Sequence, residues 1–166
     1  MRSRGGVHRI GQGFDVHRLV TGRPLRLGGV PLESNRGPSS HSDGDVLLHA
    51  VVNALLGAIG AGDLGAHFPD TDPRFRGIDS ATLVSEAMVL VRRDGYRVAN
   101  LDSTVLAESP RLAPHRSSME ARIAELLGID SGRVNVKFGT GETVGPVGRH
   151  EAIEAQAIVL LVRDEG

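Results

Sequence analysis

Between Asp45 and Ile59 apolar side chains recur at helical spacing, at Val46, Leu47, Ala50, Val51, Ala54, Leu55 and Ala58. A helix this apolar has to be covered on most sides. Its continuation to Gly62 is interrupted by His49 and Asn53, and it is too short and too polar to cross a bilayer. The segment therefore predicts a buried helix of a globular domain, stopped by Gly60 and Gly62.

The rest of the chain is arranged around that helix. Residues 7–19 and 23–33 read as two extended segments joined at Thr21-Gly22 in a hairpin, and residues 34–44 as a Ser, Gly, Pro and Asp loop. Residues 62–78 form a long polar loop, of a length usually kept for function. A second helix is expected from Asp79 to Asp94, with Asp79 as its N-cap and Gly95 after its end. Residues 96–106 read as a strand. Pro114 opens a third helix, Ser117 to Leu127, closed by Gly128, and 133–138 and 153–162 are the last strands. The order β-β-α-α-β-α-β-β predicts an α+β fold, one mixed sheet with helices packed on one face. The other face needs a cover, and a partner subunit is the simplest one. The 166 residues fit a single domain, with residues 1–8 as a disordered N-terminal tail.

Composition narrows the chemistry. With no Trp, one Tyr and four Phe, the core must be aliphatic. The 19 basic and 20 acidic residues are interleaved, which argues against a nucleic-acid partner. No cysteine is present, so thiol catalysis, disulfides and cysteine-held zinc are excluded, and any zinc must sit on histidine and carboxylate. The basic start, Met1 to Gly6, is not followed by an apolar run and does not read as a signal peptide. A soluble, cytoplasmic protein without a membrane partner is expected.

Asp15-Val16-His17 lies in the first extended segment. Residues two apart on a strand share a face, roughly 6–7 Å apart, with Val16 pointing the other way. His49 is the polar exception in its apolar helical turn. An Asp-His-His set with no fourth protein ligand describes a catalytic zinc site with an open position. Taken singly, D-x-H is common and His49 reads equally as a core histidine. Asp45 either orients the His49 imidazole or caps the helix. His41-Ser42-Asp43-Gly44-Asp45 precedes a helix N-terminus, where free N–H groups attract phosphate; a plain helix cap has the same composition. Asp63, Asp70 and Asp72 suit a polyol, a hard cation or solvated turns. Lys137 to Glu142 is a small-residue loop that lets backbone approach a phosphate, without the Lys-Ser/Thr ending of a Walker motif.

In order, these segments resemble the 2-C-methyl-D-erythritol 2,4-cyclodiphosphate synthase family. The carriers are G-x-G-F-D-V-H (Gly11–His17), H-S-D-G-D-V-x-x-H-A (His41–Ala50), G-D-L-G-x-x-F-P-D-T-D-P (Gly62–Pro73) and T-x-E…G-R-x-E (Thr140–Glu151). The resemblance implies a homotrimer with active sites at its subunit interfaces. The implied substrate is a cytidine-diphosphate-linked small molecule, 4-diphosphocytidyl-2-C-methyl-D-erythritol 2-phosphate, which is cyclised with release of CMP in the non-mevalonate route to isoprenoid precursors. It implies Asp15, His17 and His49 as ligands of one Zn2+ per subunit, and Glu142 as a ligand of a second divalent ion, Mg2+ or Mn2+. His41 and Thr140 would position phosphate and stabilise the transition state. Substrate contacts would come from Asp15, Val16, His17, His41 and Ser42, and at the erythritol part from Asp63, Leu64, Gly65, Phe68, Pro69, Asp70, Thr71 and Asp72. Ala107, Arg111, Leu112 and Ala113 would surround cytosine, and Gly139, Thr140, Glu142 and Arg149 would lie near the phosphates.

The chain departs from the family pattern in places. Asn53 stands for a common Asp, Arg111 for Lys, Pro146 for a Phe that lines the trimer axis, and His150 for Gly. The usual Thr-rich run is thinned to Gly139-Thr140-Gly141. None of these touches the three zinc ligands.

Overall fold

Alternation along the first strand gives the sheet two unlike faces. From His8 to Arg18 the even-numbered residues are exposed, while Gly11 and Gly13 are buried and Asp15 and His17 half-buried beside them. The computed structural model describes residues 8–164. In chain order the elements are β1 (His8–Thr21), β2 (Leu25–Leu27), β3 (Val30–Leu32), β4 (Arg36–Pro38), α1 (Val46–Ala58), the short α2 (Leu64–His67), α3 (Ser80–Arg93), β5 (Tyr96–Leu106), α4 (Arg116–Leu127), β6 (Val134–Gly139), the short α5 (Gly145–Gly148) and β7 (Ala152–Arg163).

Five strands make one mixed sheet in the order β4-β1-β7-β5-β6. β1 runs antiparallel to β7 from His8↔Val162 to Arg18↔Ala152, and β7 runs antiparallel to β5. β5 and β6 are parallel, so the chain crosses over between them, through α4. The end of β1 also pairs with β4, Leu19 opposite Pro38.

α1 lies against β1 and β7. Its Leu47, Leu48, Leu55 and Leu56 are fully buried, each stabilising the fold by about 1.5–3 kcal/mol. The helix comes unusually close to β1. A Cβ on Gly11 would stand 1.9 Å from the Ala54 carbonyl oxygen, and one on Gly13 the same distance from that of Ala50. Only glycine permits this approach. α3 buries Leu83, Val84, Ala87, Met88 and Val91, starts at Asp79, whose carboxylate accepts from Ala81 N at 2.8 Å, and is followed by Gly95 at φ +81°. The helices cover one face of the sheet, as predicted. On the other face Ile10, Phe14, Val16 and Ile158 are 45–73% exposed.

Several expectations need correction. Residues 23–33 do not pair with β1. They fold on themselves as the β2–β3 hairpin around Gly28 and Gly29, whose φ values of +59° and +76° make the tight turn. The loop expected over 34–44 contains β4, because the β1 edge left open there accepts a short strand. The loop expected over 62–78 contains α2 and a 3-10 turn at Pro73–Phe75. The small-residue segment near the C-terminus includes α5, with Pro146 in its first turn. Of the tail expected over 1–8, residues 1–7 lie outside the described residues and His8 opens β1. No helix among the described residues is long and apolar enough to cross a membrane.

Candidate metal centre and active site

Asp15 and His17 point from β1 toward α1, and His49 lies in the first turn of α1. The close helix–strand approach over Gly11 and Gly13 brings them together. Asp15 Oδ2 is 2.9 Å from His17 Nε2 and 3.0 Å from His49 Nδ1, and the two ring nitrogens are 3.0 Å apart. The imidazoles meet edge to face, with centroids 5.2 Å apart. Burial pushes the Asp15 carboxyl upward, but hydrogen bonds to His17 and His49, and their charges, outweigh it and bring it to about 2.

Three lone-pair atoms turned toward one point repel unless a cation or protons sit among them. A tetrahedral ion bonded at about 2.0–2.1 Å separates its ligands by about 3.3 Å, so this triangle fits one small divalent ion with little movement. The donors are nitrogen and oxygen from three side chains, which leaves one coordination position for a ligand.

Asp45 caps the helix and has no part in orienting His49. Its Oδ1 accepts from Leu48 N at 3.0 Å and Gly28 N at 2.9 Å, and its Oδ2 from Gly29 N at 2.7 Å. The side chain is fully buried, and burial raises its carboxyl despite these three donors. It ties the β2–β3 hairpin to the start of α1.

A cavity of about 400 Å³ opens beside the triad. His41 and Ser42 line one side, and Leu64, Gly65, Phe68, Pro69 and Asp70 another. Phe68 is held edge-on against Phe75, with ring centroids 5.5 Å apart. Asp63 and Asp72 do not line this cavity. Asp63 caps α2 through Ala66 N at 2.9 Å, and Asp72 pairs with Arg74 at 2.6 Å, which lowers its carboxyl. Thr71 is exposed beside it, and Val16 lies on the opposite face of the sheet.

The remaining predicted residues gather elsewhere. Ala107, Arg111, Leu112, Ala113, Gly139 and Thr140 line a second cavity of about 260 Å³. Thr140 Oγ1 donates to Glu142 Oε1 at 3.0 Å, and Glu142 and Thr143 hold left-handed φ values of +49° and +61°. Arg149 pairs with Glu151 at 3.1 Å and lines neither cavity. Within one chain, then, Glu142 and Thr140 are not brought to the Asp15-His17-His49 triad.

Sequence reasoning missed some participants. Asn53, a departure from the family pattern, does make contacts: its Oδ1 accepts from Leu64 N at 2.9 Å and its Nδ2 donates to the Phe14 carbonyl at 3.4 Å. Its place one helical turn after His49 was the available signal. Glu108 accepts from Gly141 N at 2.6 Å and joins the two walls of the second cavity, a pairing across 33 positions with no local signature.

Comparison with known proteins adds to this geometry. The YgbB family model matches residues 8–162. A 2-C-methyl-D-erythritol 2,4-cyclodiphosphate synthase of Geobacillus kaustophilus is 58% identical over 93% of this chain and 98% of its own length. One from Chromobacterium violaceum is 56% identical over 95% and 99%. Among solved structures, the bifunctional IspDF of Campylobacter jejuni superposes with a TM-score of 0.90 at 41% identity, over 94% of this chain and 42% of that one. A CDP complex of IspF from Plasmodium falciparum superposes with a TM-score of 0.84 at 35% identity, over 95% and 97%. The family match spans nearly all the described residues, and both the fold and the curated relatives agree with it: the chain belongs to the YgbB family.

Proposed function

We propose that this protein is a cyclodiphosphate synthase. It converts 4-diphosphocytidyl-2-C-methyl-D-erythritol 2-phosphate to 2-C-methyl-D-erythritol 2,4-cyclodiphosphate and CMP. One observation carries the reading: Asp15, His17 and His49 form a three-donor triangle that opens into a cavity lined by His41, Ser42 and the 64–70 segment. The curated relatives bear the same enzyme name at more than half identity along almost the whole chain.

In the reaction an oxygen of the 2-phosphate attacks the β-phosphorus, and the bond from that phosphorus to the oxygen bridging it to the α-phosphorus breaks. CMP leaves with the bond's electrons. Both partners are anionic, so the barrier includes the approach of like charges. Zn2+ held by Asp15, His17 and His49, when bound, offers a Lewis acid to a diphosphate oxygen. His41 and Ser42 orient phosphate beside the triad. Leu64, Gly65, Phe68, Pro69 and Asp70 hold the erythritol part, with Asp63, Thr71 and Asp72 shaping the loop. Holding both ends of one molecule together converts encounter into ring closure, worth roughly 7–11 kcal/mol at best.

The working form is a homotrimer. Its support is the cluster of exposed apolar residues on the open face of the sheet, Ile10, Phe14, Val16 and Ile158, and the division of the site residues between two cavities. A neighbouring copy brings its cytosine-binding Ala107, Arg111, Leu112 and Ala113, its Gly139 and Thr140, and its Glu142 and Arg149, up to the metal triad. Glu142 then serves a second divalent ion, Mg2+ or Mn2+. The whole chain acts as one catalytic domain, in the cytoplasm.

Phosphorus-31 NMR of the zinc- and magnesium-loaded protein with substrate tests the reading. Stoichiometric CMP and a cyclic diphosphate free of label from heavy-oxygen water are expected, with turnover lost in Asp15→Asn and His49→Ala. A linear, labelled product would make the protein a phosphohydrolase instead.

A further inference from the structure

The far side of His49 is as ordered as the side facing the triad. Its Nε2 lies 2.9 Å from Ser80 Oγ, at the first turn of α3, and 3.2 Å from Ser42 Oγ. Ser80 is fully buried. Its hydroxyl also contacts Asp43 Oδ1, and its backbone N–H donates to Asp43 Oδ2 at 3.1 Å. Asp43 is itself fixed, since its Oδ1 accepts from Asp45 N at 3.1 Å and its own N–H donates to the Ile78 carbonyl at 3.2 Å.

Donor and acceptor counting sets the direction of this chain. A carboxylate only accepts, so the single hydroxyl proton of Ser80 goes to Asp43. The Ser80 oxygen then has lone pairs left, and the group facing it must donate. His49 Nε2 therefore carries a proton, and when a cation takes the place of the hydrogen between Nδ1 and Asp15, Nδ1 is the nitrogen left to ligate it. The reverse tautomer would keep a hydrogen on Nδ1, where the cation must bind, and leave Ser80 with one proton for two acceptors.

We infer that Asp43 and Ser80 are positioning residues for His49. They form a relay, His49 Nε2–H to Ser80 Oγ–H to Asp43, that presents His49 Nδ1 to a cation in the correct tautomer and ring orientation. The relay rests on the metal reading of the triad. It also makes Ser80, which does not line the substrate cavity, one of the determinants of metal affinity. Ser42 Oγ is the lesser partner, longer by 0.3 Å (3.2 against 2.9) and already accepting from Gly44 N at 3.1 Å.

The test is zinc affinity of the full chain, measured by competition with a chromophoric chelator, together with histidine side-chain NMR of the zinc-loaded protein. Partners that orient a ligating histidine are typically worth 10–100-fold in metal affinity. Ser80→Ala and Asp43→Asn are each expected to weaken zinc binding at least about tenfold. The double variant should lose little more than either single one, because both act through one relay. In the wild-type protein the His49 Nε2–H proton should be visible and slow to exchange, and in Ser80→Ala it should exchange fast. A merely structural role for Ser80 would leave that proton unmoved. Zinc affinities within twofold of wild type in both variants would overturn the relay. So would a wild-type spectrum without a protected Nε2–H, a result that needs no variant to fold. If wild-type protein itself bound no divalent ion, the metal reading would fail instead, so the two failures are told apart.

Discussion

The carbonyl oxygen of Ala50 sits 1.9 Å from where a Cβ on Gly13 would stand. With its counterpart between Gly11 and Ala54, this contact sets the separation of α1 from β1, and with it the distance from His49 to Asp15. Gly13→Ala is expected to push the helix off the strand, at a cost of about 1–3 kcal/mol or more, and to abolish tight zinc binding. Thermal unfolding and chelator competition read the two effects. Gly57 is the contrast: it lies in the same helix, exposed, and a Cβ there would meet nothing nearer than 3.8 Å. Gly57→Ala should therefore raise stability by roughly 0.5–1 kcal/mol and leave zinc affinity unchanged.

Asp45 satisfies three backbone donors, those of Gly28 and Leu48 in fully buried bonds and that of Gly29 in a part-buried one. Asp45→Ala leaves the N–H groups of Gly28, Gly29 and Leu48 short of an acceptor, and each orphaned donor costs about 1–3 kcal/mol. A loss of several kcal/mol is expected by urea unfolding. Faster amide exchange should appear first at Gly28 and Gly29, where the hairpin is tied down.

The Asp15 carboxyl titrates at about 2 in the folded, metal-free chain, below its ordinary 3.8. Folding lowers it, so the ionised form stabilises the native state. That contribution is full above pH 4 and disappears as the pH falls through about 2. At about 1.4 kcal/mol per pH unit it amounts to roughly 2 kcal/mol. Denaturant unfolding of metal-free wild type and Asp15→Asn checks this: their difference should be present at pH 5 and shrink between pH 4 and 2. A difference that grew on acidification would contradict the assignment.

Ile158 lies opposite Gln12 on the open face, with Ile10 and Phe14 as its diagonal neighbours. Ile158→Asp places a charge in the middle of that patch. Light scattering should give a particle of three chains for wild type and of one chain for the variant, with turnover lost along with the trimer.

Much of this was legible in the residues. The period-two spacing of Asp15 and His17 on a strand, and a histidine within an apolar helical turn, put all three triad members in view. Helix ends followed their caps at Asp79 and Gly128. What escaped depends on pairing at a distance. Ser80 looks like any first-turn serine until α3 is packed against α1, and Asp43 reads as one more loop aspartate. The β2–β3 hairpin was misassigned because turn residues at both Thr21-Gly22 and Gly28-Gly29 compete, and only the second sits between strands that pair with each other. The division of Arg111 and Thr140 from His49 follows from the crossover connection of β6, which has no local mark in the sequence.

Residues 14 to 17 alternate between two duties: Phe14 and Val16 face the open side of the sheet, Asp15 and His17 the candidate metal triangle. Neighbours in that run share peptide planes, so a backbone adjustment on the open face also turns the donors behind it. Under the proposed trimer, drift at the subunit contact would be screened by the chemistry behind it, and the two surfaces would evolve as one.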